Sequence, residues 1–328
     1  MNIYITLDYE LFFGSKSGTV EKCIIQPTQE LLKITEPYNI KFTCFVDSGF
    51  LLALEKNKAE FPQLQSDYKN ICDQIKYLAS EGHGIELHVH PHWEDSYYDG
   101  SRWIFNTDRY RLSCFSENRI VDIITRYTEV LERICGIRPQ AYRAGGWSAQ
   151  PFEPIGKGLR KNRIMVDSTV YPGGKYKSKN QVFDFSQVEQ YKTKYRFSHD
   201  LVQEDENGEF TEIPISSYKV PPWFFWKFIF VKIFKQAKHI PYGDGNALSM
   251  DKRNVLKLLL NFSHSVVSID GYKASLLKNA FPKYRSKTAN KGNLVLIGHP
   301  KAFTQYSLKK LSGFIEQTHL DHSYKTYQ

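Results

Sequence analysis

Gly82-His83-Gly84-Ile85-Glu86-Leu87-His88-Val89-His90-Pro91-His92 sets three alternating histidines directly behind an apolar run. Glu81-Gly82 stops a preceding helical pattern, Ile85–His88 reads as a strand, and Pro91 blocks an ordinary helix through the histidines. Imidazoles crowded this closely repel one another when protonated, so a neutral, metal-bound state is the natural way to hold them together. A single histidine in such a place reads most simply as a polar turn residue in water. Three at a strand end favour a metal, since imidazole is the commonest metal ligand.

Outward from this segment, short apolar strands alternate with helical stretches. Strands are expected at Ile3–Leu7, Lys41–Val46, Ile85–His88, Gln140–Arg143, Ile164–Asp167, Glu212–Ile215 and Asn293–Ile297, with helices at Pro27–Pro37, Asp67–Ser80 and Asn118–Cys135. That rhythm predicts an α/β fold: a distorted, incomplete (β/α) barrel of about seven parallel strands. Residues 1–328 read as one domain, with an aromatic and basic insertion at about 218–246. Such barrels gather their chemistry at the C-terminal strand ends. Asp8 and Glu10, His88, Arg143-Ala144-Gly145-Gly146, Asp167-Ser168 and Gly298-His299-Pro300 all fall there. Five strand ends with titratable or glycine-rich punctuation are hard to explain in a purely structural chain.

With 41% hydrophobic and 24% charged residues, the composition is that of a globular protein rather than a disordered one. The five cysteines form no CxxC pair and read as reduced thiols. The opening Met1–Asp8 is a short alternating strand without a basic leader, and no run of about 18 apolar residues is present, so a cytoplasmic protein is expected. A formal charge of +9 favours anionic partners, and without a nucleic-acid motif a phosphate or an acidic membrane surface is the better expectation. Glu94–Phe115 is a polar and aromatic loop placed to wall a groove beside the histidines. Trp223–Phe234 is too short and lysine-punctuated to span a bilayer, yet carries the tryptophans, phenylalanines and lysines of an interfacial helix. A helix packed over the barrel, or a dimer contact, explains the same residues.

With these residues in place, the chain resembles the polysaccharide deacetylases of carbohydrate esterase family 4. Gly82–His92 resembles the family's histidine segment, Thr6-Leu7-Asp8-Tyr9-Glu10 its first acidic motif, Tyr142-Arg143-Ala144-Gly145-Gly146-Trp147 its arginine-glycine motif, and Leu296-Ile297-Gly298-His299-Pro300 its closing motif. The four come in the family's order. The usual pair of adjacent aspartates is replaced here by Asp8-Tyr9-Glu10, as in a branch of the family that writes this motif Asp-x-Glu. The match is thinnest at Asp167-Ser168.

The resemblance implies a metal-dependent hydrolase that removes an N-acetyl group from a sugar. Glu10, His88 and His92 would hold a divalent ion, zinc by default, although a two-histidine, one-carboxylate set accepts other divalent ions. His90, extra to the pattern, would point away from the metal. The ion acidifies a water and polarises the amide carbonyl. Asp8 is the expected base, kept ionised by Arg143, and His299 the acid for the leaving amine, oriented by Asp167. A backbone N–H at Tyr9 would serve the oxyanion, and Gly145, Gly146, Trp147 and Trp93 the substrate. Glu10 and Asp8 could exchange roles. The expected substrate is a glycan precursor, and the interfacial character of Trp223–Phe234 extends that expectation to a lipid-linked one met at the inner face of the membrane. Three alternatives stand beside it: a deformylase of a formamido sugar, an amidohydrolase using His88-Val89-His90, and a catalytically silent glycan-binding protein at the membrane.

Overall fold

In the computed structural model, which describes residues 1–234, 236–248 and 252–328, parallel strands build one curled sheet. They are β1 (Asn2–Tyr9), β2 (Thr43–Asp47), β3 (Gly84–Val89), β4 (Ala141–Ala144), β5 (Val166–Asp167), β6 (Phe210–Glu212) and β7 (Asn293–Gly298). Their order across the sheet is β7-β1-β2-β3-β4-β5-β6, every neighbour parallel. An antiparallel strand, Tyr195–Phe197, flanks β6, and Ser323–Tyr324 lies beside the start of β1. Between β6 and β7 the curl is spanned by Ser216 and Val267–Ile269. The Ser216 N–H donates to the Val295 carbonyl at 3.0 Å, Val267 donates to Ser216 at 2.7 Å, and Ile269 to Ile297 at 2.9 Å. The sheet is therefore an incomplete barrel of the expected kind.

The helices that cover the sheet are α1 (Gln26–Thr35), α2 (Ser48–Asn57), α3 (Pro62–Ser80), α4 (Glu117–Cys135), α5 (Glu153–Lys161), α6 (Pro222–Phe234), α7 (Lys252–Leu260), α8 (Leu277–Lys287) and α9 (Gln305–Thr318). The helix expected at Asp67 starts five residues earlier because Pro62 sits in its first turn, where a missing N–H costs nothing. Helix α4 follows its apolar spacing, burying Ile120, Ile123, Ile124, Tyr127, Leu131 and Ile134, and ends at Gly136 with φ 73°. The expected strand Glu212–Ile215 is shifted to Phe210–Glu212, but the N–H groups of Ile213 and Ile215 continue the ladder toward Asp167 and Val170.

Strand parity sorts the side chains. On β1, Ile3, Ile5, Leu7 and Tyr9 join the main core under the helices. Tyr4 belongs to a smaller cluster inside the curl with Ile213, Ile215, Val266, Val295 and Ile297. Successive side chains alternate faces, so Thr6, Asp8 and Glu10 climb the inner face above Tyr4. On β3, Ile85, Leu87 and Val89 take the outer face, leaving Glu86, His88 and His90 inside. The register stands Asp47 beside His88 and His88 beside Arg143. Tyr327, near the C-terminus, lies inside the curl with its ring 5.1 Å from Tyr4 and 5.3 Å from Phe45.

The aromatic and basic segment expected at about 218–246 opens on a short strand. Ser217–Val220 pairs antiparallel with Ser263–Val266, and α6 and α7 lie between the two strands. Before α7 the chain returns to the sheet: Tyr242 and Gly243 donate to the carbonyls of Phe303 and Lys301, while Asn246 exchanges backbone bonds with Gly14 and Lys16.

Asp167 and Glu212 are register partners on adjacent strands, both fully buried. Burial, reinforced by Asp167, pushes the Glu212 carboxyl well above its ordinary value of 4.5. A carboxyl raised in the folded state costs stability as pH rises past the unfolded value. Glu212→Gln is expected to melt at a higher temperature than wild type at pH 8, with the advantage fading as pH falls toward about 4.5; thermal melts across that range measure it.

Candidate metal centre and catalytic site

Asp8 and Arg143 meet inside the barrel mouth. The Arg143 Nη1 donates to Asp8 Oδ1 at 2.7 Å, its Nε to the Ser168 carbonyl at 2.8 Å and its Nη2 to Ser168 Oγ at 3.2 Å. The guanidinium lies over the Phe45 ring, 4.0 Å from its centroid, and is fully buried. Burial alone would raise Asp8, but Arg143, helped by His88 and His299, outweighs it and holds the carboxyl below its usual range. Asp8 is thus an ionised carboxylate at neutral pH. Its second oxygen lies 3.9 Å from His88 Nε2 and 3.6 Å from His299 Nε2.

Glu10 stands one inner-face position above Asp8. Its Oε2 lies 3.3 Å from His88 Nε2 and 2.6 Å from His90 Nε2, and its Oε1 accepts from Lys301 Nζ at 2.8 Å. Burial opposes the charge, but Lys301 and His90 outweigh it and hold Glu10 well below the usual carboxylate range. His88 Nδ1 sits 2.9 Å from the Arg143 carbonyl, which can only accept, so that nitrogen carries a proton and Nε2 is the atom turned inward toward the carboxylates. Burial would lower the His88 pKa, but Asp8 and Glu10 outweigh it and raise it. Glu10, His88 and His90 offer donor atoms that all lie within 4.8 Å of one another.

The structure does not bring His92 into this group. Pro91 opens a turn, Pro91–Asp95, that carries His92 off the strand. Its ring stacks on Tyr110 with centroids 5.4 Å apart and on Trp93 at 5.5 Å, and neither ring nitrogen has a partner. His90, expected to point away, faces Glu10 instead. Two residues along a strand share a face, so His90 follows His88 inward. A Cβ on Gly145 would lie 2.6 Å from the His90 ring, so the glycine at this position is what leaves the imidazole its space.

His299 also departs from expectation in its partner. Its Nδ1 lies 2.8 Å from Asp270 Oδ2, and its backbone N–H donates to Asp270 Oδ1 at 2.7 Å. Asp167, expected in that role, is bonded instead to Thr169 through its backbone N–H and hydroxyl. Burial would lower His299, but Asp270 and Asp8 outweigh it and raise its pKa.

The expected substrate-facing residues divide. Trp147 and Gly146 are half-buried near the mouth, with Trp147 against Tyr171 and Phe183. Trp93 is buried and donates its indole N–H to Asp47 Oδ2 at 2.6 Å, making it part of the wall. The Tyr9 side chain lies on the outer face and donates to Gln74 at 2.7 Å. In the loop Glu94–Phe115, Phe105 and Tyr110 pack on His92 and Trp103 on Trp93. Lys301, Asp270 and Asp47 were not singled out by sequence. Lys301 lies only two residues beyond His299, the single signal available for it.

The sequence by itself matches no family model and no curated protein. Comparison of the folded chain finds a putative polysaccharide deacetylase from Mycobacterium smegmatis, with TM-score 0.51 and 17% identity over 98% of this chain and 85% of that one. The fold is that of the polysaccharide deacetylases. Puue allantoinase is similar at TM-score 0.51 and 11% identity, covering 99% of this chain and 87% of that one. On this fold the chain assembles an ionised carboxylate, an imidazole with a raised pKa 3.6 Å from it, and a carboxylate with two imidazoles whose donor atoms lie within 4.8 Å of one another.

The His299–Asp270 pair makes a prediction that needs no substrate. In NMR titrations His299 should hold its proton above its ordinary value of 6.5, and Asp270→Asn should move that titration downward. An unshifted His299 in the variant would remove Asp270 from its supporting role.

Proposed function

We propose that the chain is a divalent-metal-dependent hydrolase that removes an N-acetyl group from a sugar in a glycan precursor. The observation that carries this reading is Asp8: an ionised carboxylate clamped by Arg143, its free oxygen between His88 and His299. The donor set suits a divalent cation. A carboxylate and two imidazoles are the ligands such an ion takes, and with Nδ1 on the Arg143 carbonyl His88 keeps Nε2 as the atom facing Glu10, from which a bound ion would displace the proton. Glu10 and His88 would hold the ion with His90, because His90 and not His92 joins their donor atoms. When bound, it supplies a Lewis acid for the amide carbonyl and an acidified water.

The chain's own groups do the rest. Asp8 accepts the proton of the attacking water, and Arg143 keeps its carboxylate ionised and oriented. His299, kept protonated by Asp270, gives a proton to the departing sugar amine. Lys301 fixes the second oxygen of Glu10, leaving one oxygen toward the histidines. The backbone N–H at Tyr9 is the proposed oxyanion donor, and the aromatic wall of Trp93, Phe105 and Tyr110 shields the histidines from water.

The substrate reading extends to a lipid-linked sugar. Helix α6 turns Trp223, Trp226, Phe230, Ile233 and Phe234 outward, with Trp223 56% and Phe234 70% exposed. Its lysines Lys227 and Lys232 sit over Trp223 and Phe228. An exposed aromatic face with flanking lysines is the pattern of a helix lying in a membrane interface. No helix among the described residues is long and apolar enough to cross a membrane.

Acetate release from an N-acetylhexosamine conjugate should require added divalent metal and fall by roughly 100-fold or more in His88→Ala. Full turnover after exhaustive chelation would end the proposal. Formate from the matching formamido sugar would favour the deformylase instead, and allantoin belongs in the panel because the allantoinase shares the fold. Metal stoichiometry separates the two histidines: His90→Ala should lose the ion while His92→Ala retains it, and the reverse would restore the ligand set implied by the sequence motif. Replacing Trp223 and Trp226 with serine should weaken liposome binding and leave turnover of a soluble substrate intact.

A further inference from the structure

On the far side of the turn that follows Asp270 lies a cavity of about 1130 Å³ between the insertion and α8 and α9. Seven lysines line it, among them Lys219 and Lys227 from the insertion, Lys278 and Lys283 from α8, and Lys309 and Lys310 from α9. Among the described residues, no aspartate or glutamate lines it. None of the seven lysines has a carboxylate within ion-pair distance among the described residues; four lie instead over aromatic rings, Lys219 on Phe262, Lys227 on Trp223, Lys283 on Tyr218 and Lys310 on Tyr306. Concentrating seven cations in one concavity with no counter-charge is unfavourable unless an anion fills it. The ammonium nitrogens of these four lie 4.9 to 5.5 Å from the ring centroids, contacts that place the cations around the concavity without neutralising their charge.

We propose that this cavity receives the phosphate-bearing headgroup of an anionic lipid. The proposal rests on the reading of α6 as a membrane contact, and it adds what that helix alone does not give, a specific seat for charge. Trp223 and Lys227 belong both to α6 and to the cavity wall, so the exposed aromatic face and the lysine pocket form one continuous surface. Tyr272, Ala274, Ser275 and Leu276 of the same wall follow within six residues of Asp270, the partner of His299. A headgroup seated here would touch the segment that follows directly on Asp270, with α6 forming the neighbouring wall.

The test uses the full-length protein and vesicles of phosphatidylcholine, with or without phosphatidylglycerol. Wild type should partition onto the anionic vesicles, more weakly as salt rises. The triple variant Lys278→Ser, Lys283→Ser, Lys309→Ser should bind them about tenfold or more weakly and keep its turnover of a soluble substrate. The single change Lys309→Glu, at an exposed position, should shift binding in the same direction and serves should the triple variant not fold. Wild-type binding in the lysine variants would remove the cavity while leaving α6 as a membrane contact. Failure of wild type to bind either vesicle would overturn the membrane reading and the cavity assignment together. Lysine-dependent binding of inorganic pyrophosphate without vesicle binding would replace the lipid by a soluble phosphate compound and likewise overturn the proposal.

Discussion

A guanidinium with no access to water depends on what surrounds it, and Arg143 depends on Asp8. Burying one charge without its partner is prohibitive, and breaking such a pair costs about 3–5 kcal/mol. The pair ties β4 to β1 across the sheet, Ser168 adds the end of β5, and Phe45 of β2 gives the guanidinium an aromatic floor. Tyr327 closes the arrangement from below, its hydroxyl 2.7 Å from Ser168 Oγ. The curl of the sheet, the ionisation of Asp8 and the depth of the site are therefore one requirement seen three ways.

Around that pair the site balances its charges locally. Glu10 has Lys301, His299 has Asp270, and Asp47 has the Trp93 indole N–H and a backbone bond from Phe50 but no cation of its own among the described residues. The consequence for Asp47 is visible: burial, with Glu10 nearby, pushes its carboxyl up to about 7. Two carboxylates on the inner face are held ionised by a dedicated cation, while a third without one is driven toward neutrality. The histidine-facing wall thus combines a fixed negative centre with neutral, apolar surroundings, the environment in which electrostatic contributions are strongest.

Much of this was written in the sequence, because strand ends followed by polar punctuation have a local signature. The seven strands, Asp8, Glu10, His88, Arg143 and His299 all lie on elements whose alternation or apolar run is plain in isolation. The placement of His90 was legible too, since the two-residue period of β3 puts it on the face of His88; the family pattern of histidines four apart obscured it. Asp270 was not legible. It follows Val267–Ile269, a segment that joins the barrel through a few bonds to Ser216 and β7 and has no strand signature of its own. Asp167 looked eligible at its strand end, but the register sets it against Glu212 and turns its oxygens to Thr169. Which of several acids meets a given histidine depends on long-range register, which short-range patterning does not carry.

The return of the insertion to the barrel links distant parts of the molecule. Residues 242–247 leave the neighbourhood of α6, bind the backbone of Lys301 and Phe303 on one side and of Gly14 and Lys16 on the other, and so staple the two loops that border Glu10. Position 14 passes under this staple as glycine, since a Cβ there would lie 2.3 Å from the Asn246 carbonyl oxygen. The main-chain carbonyls of Lys301 and Phe303 are thus held by bonds from Gly243 and Tyr242, and the lysine that grips the Glu10 carboxylate has its backbone fixed from the insertion side.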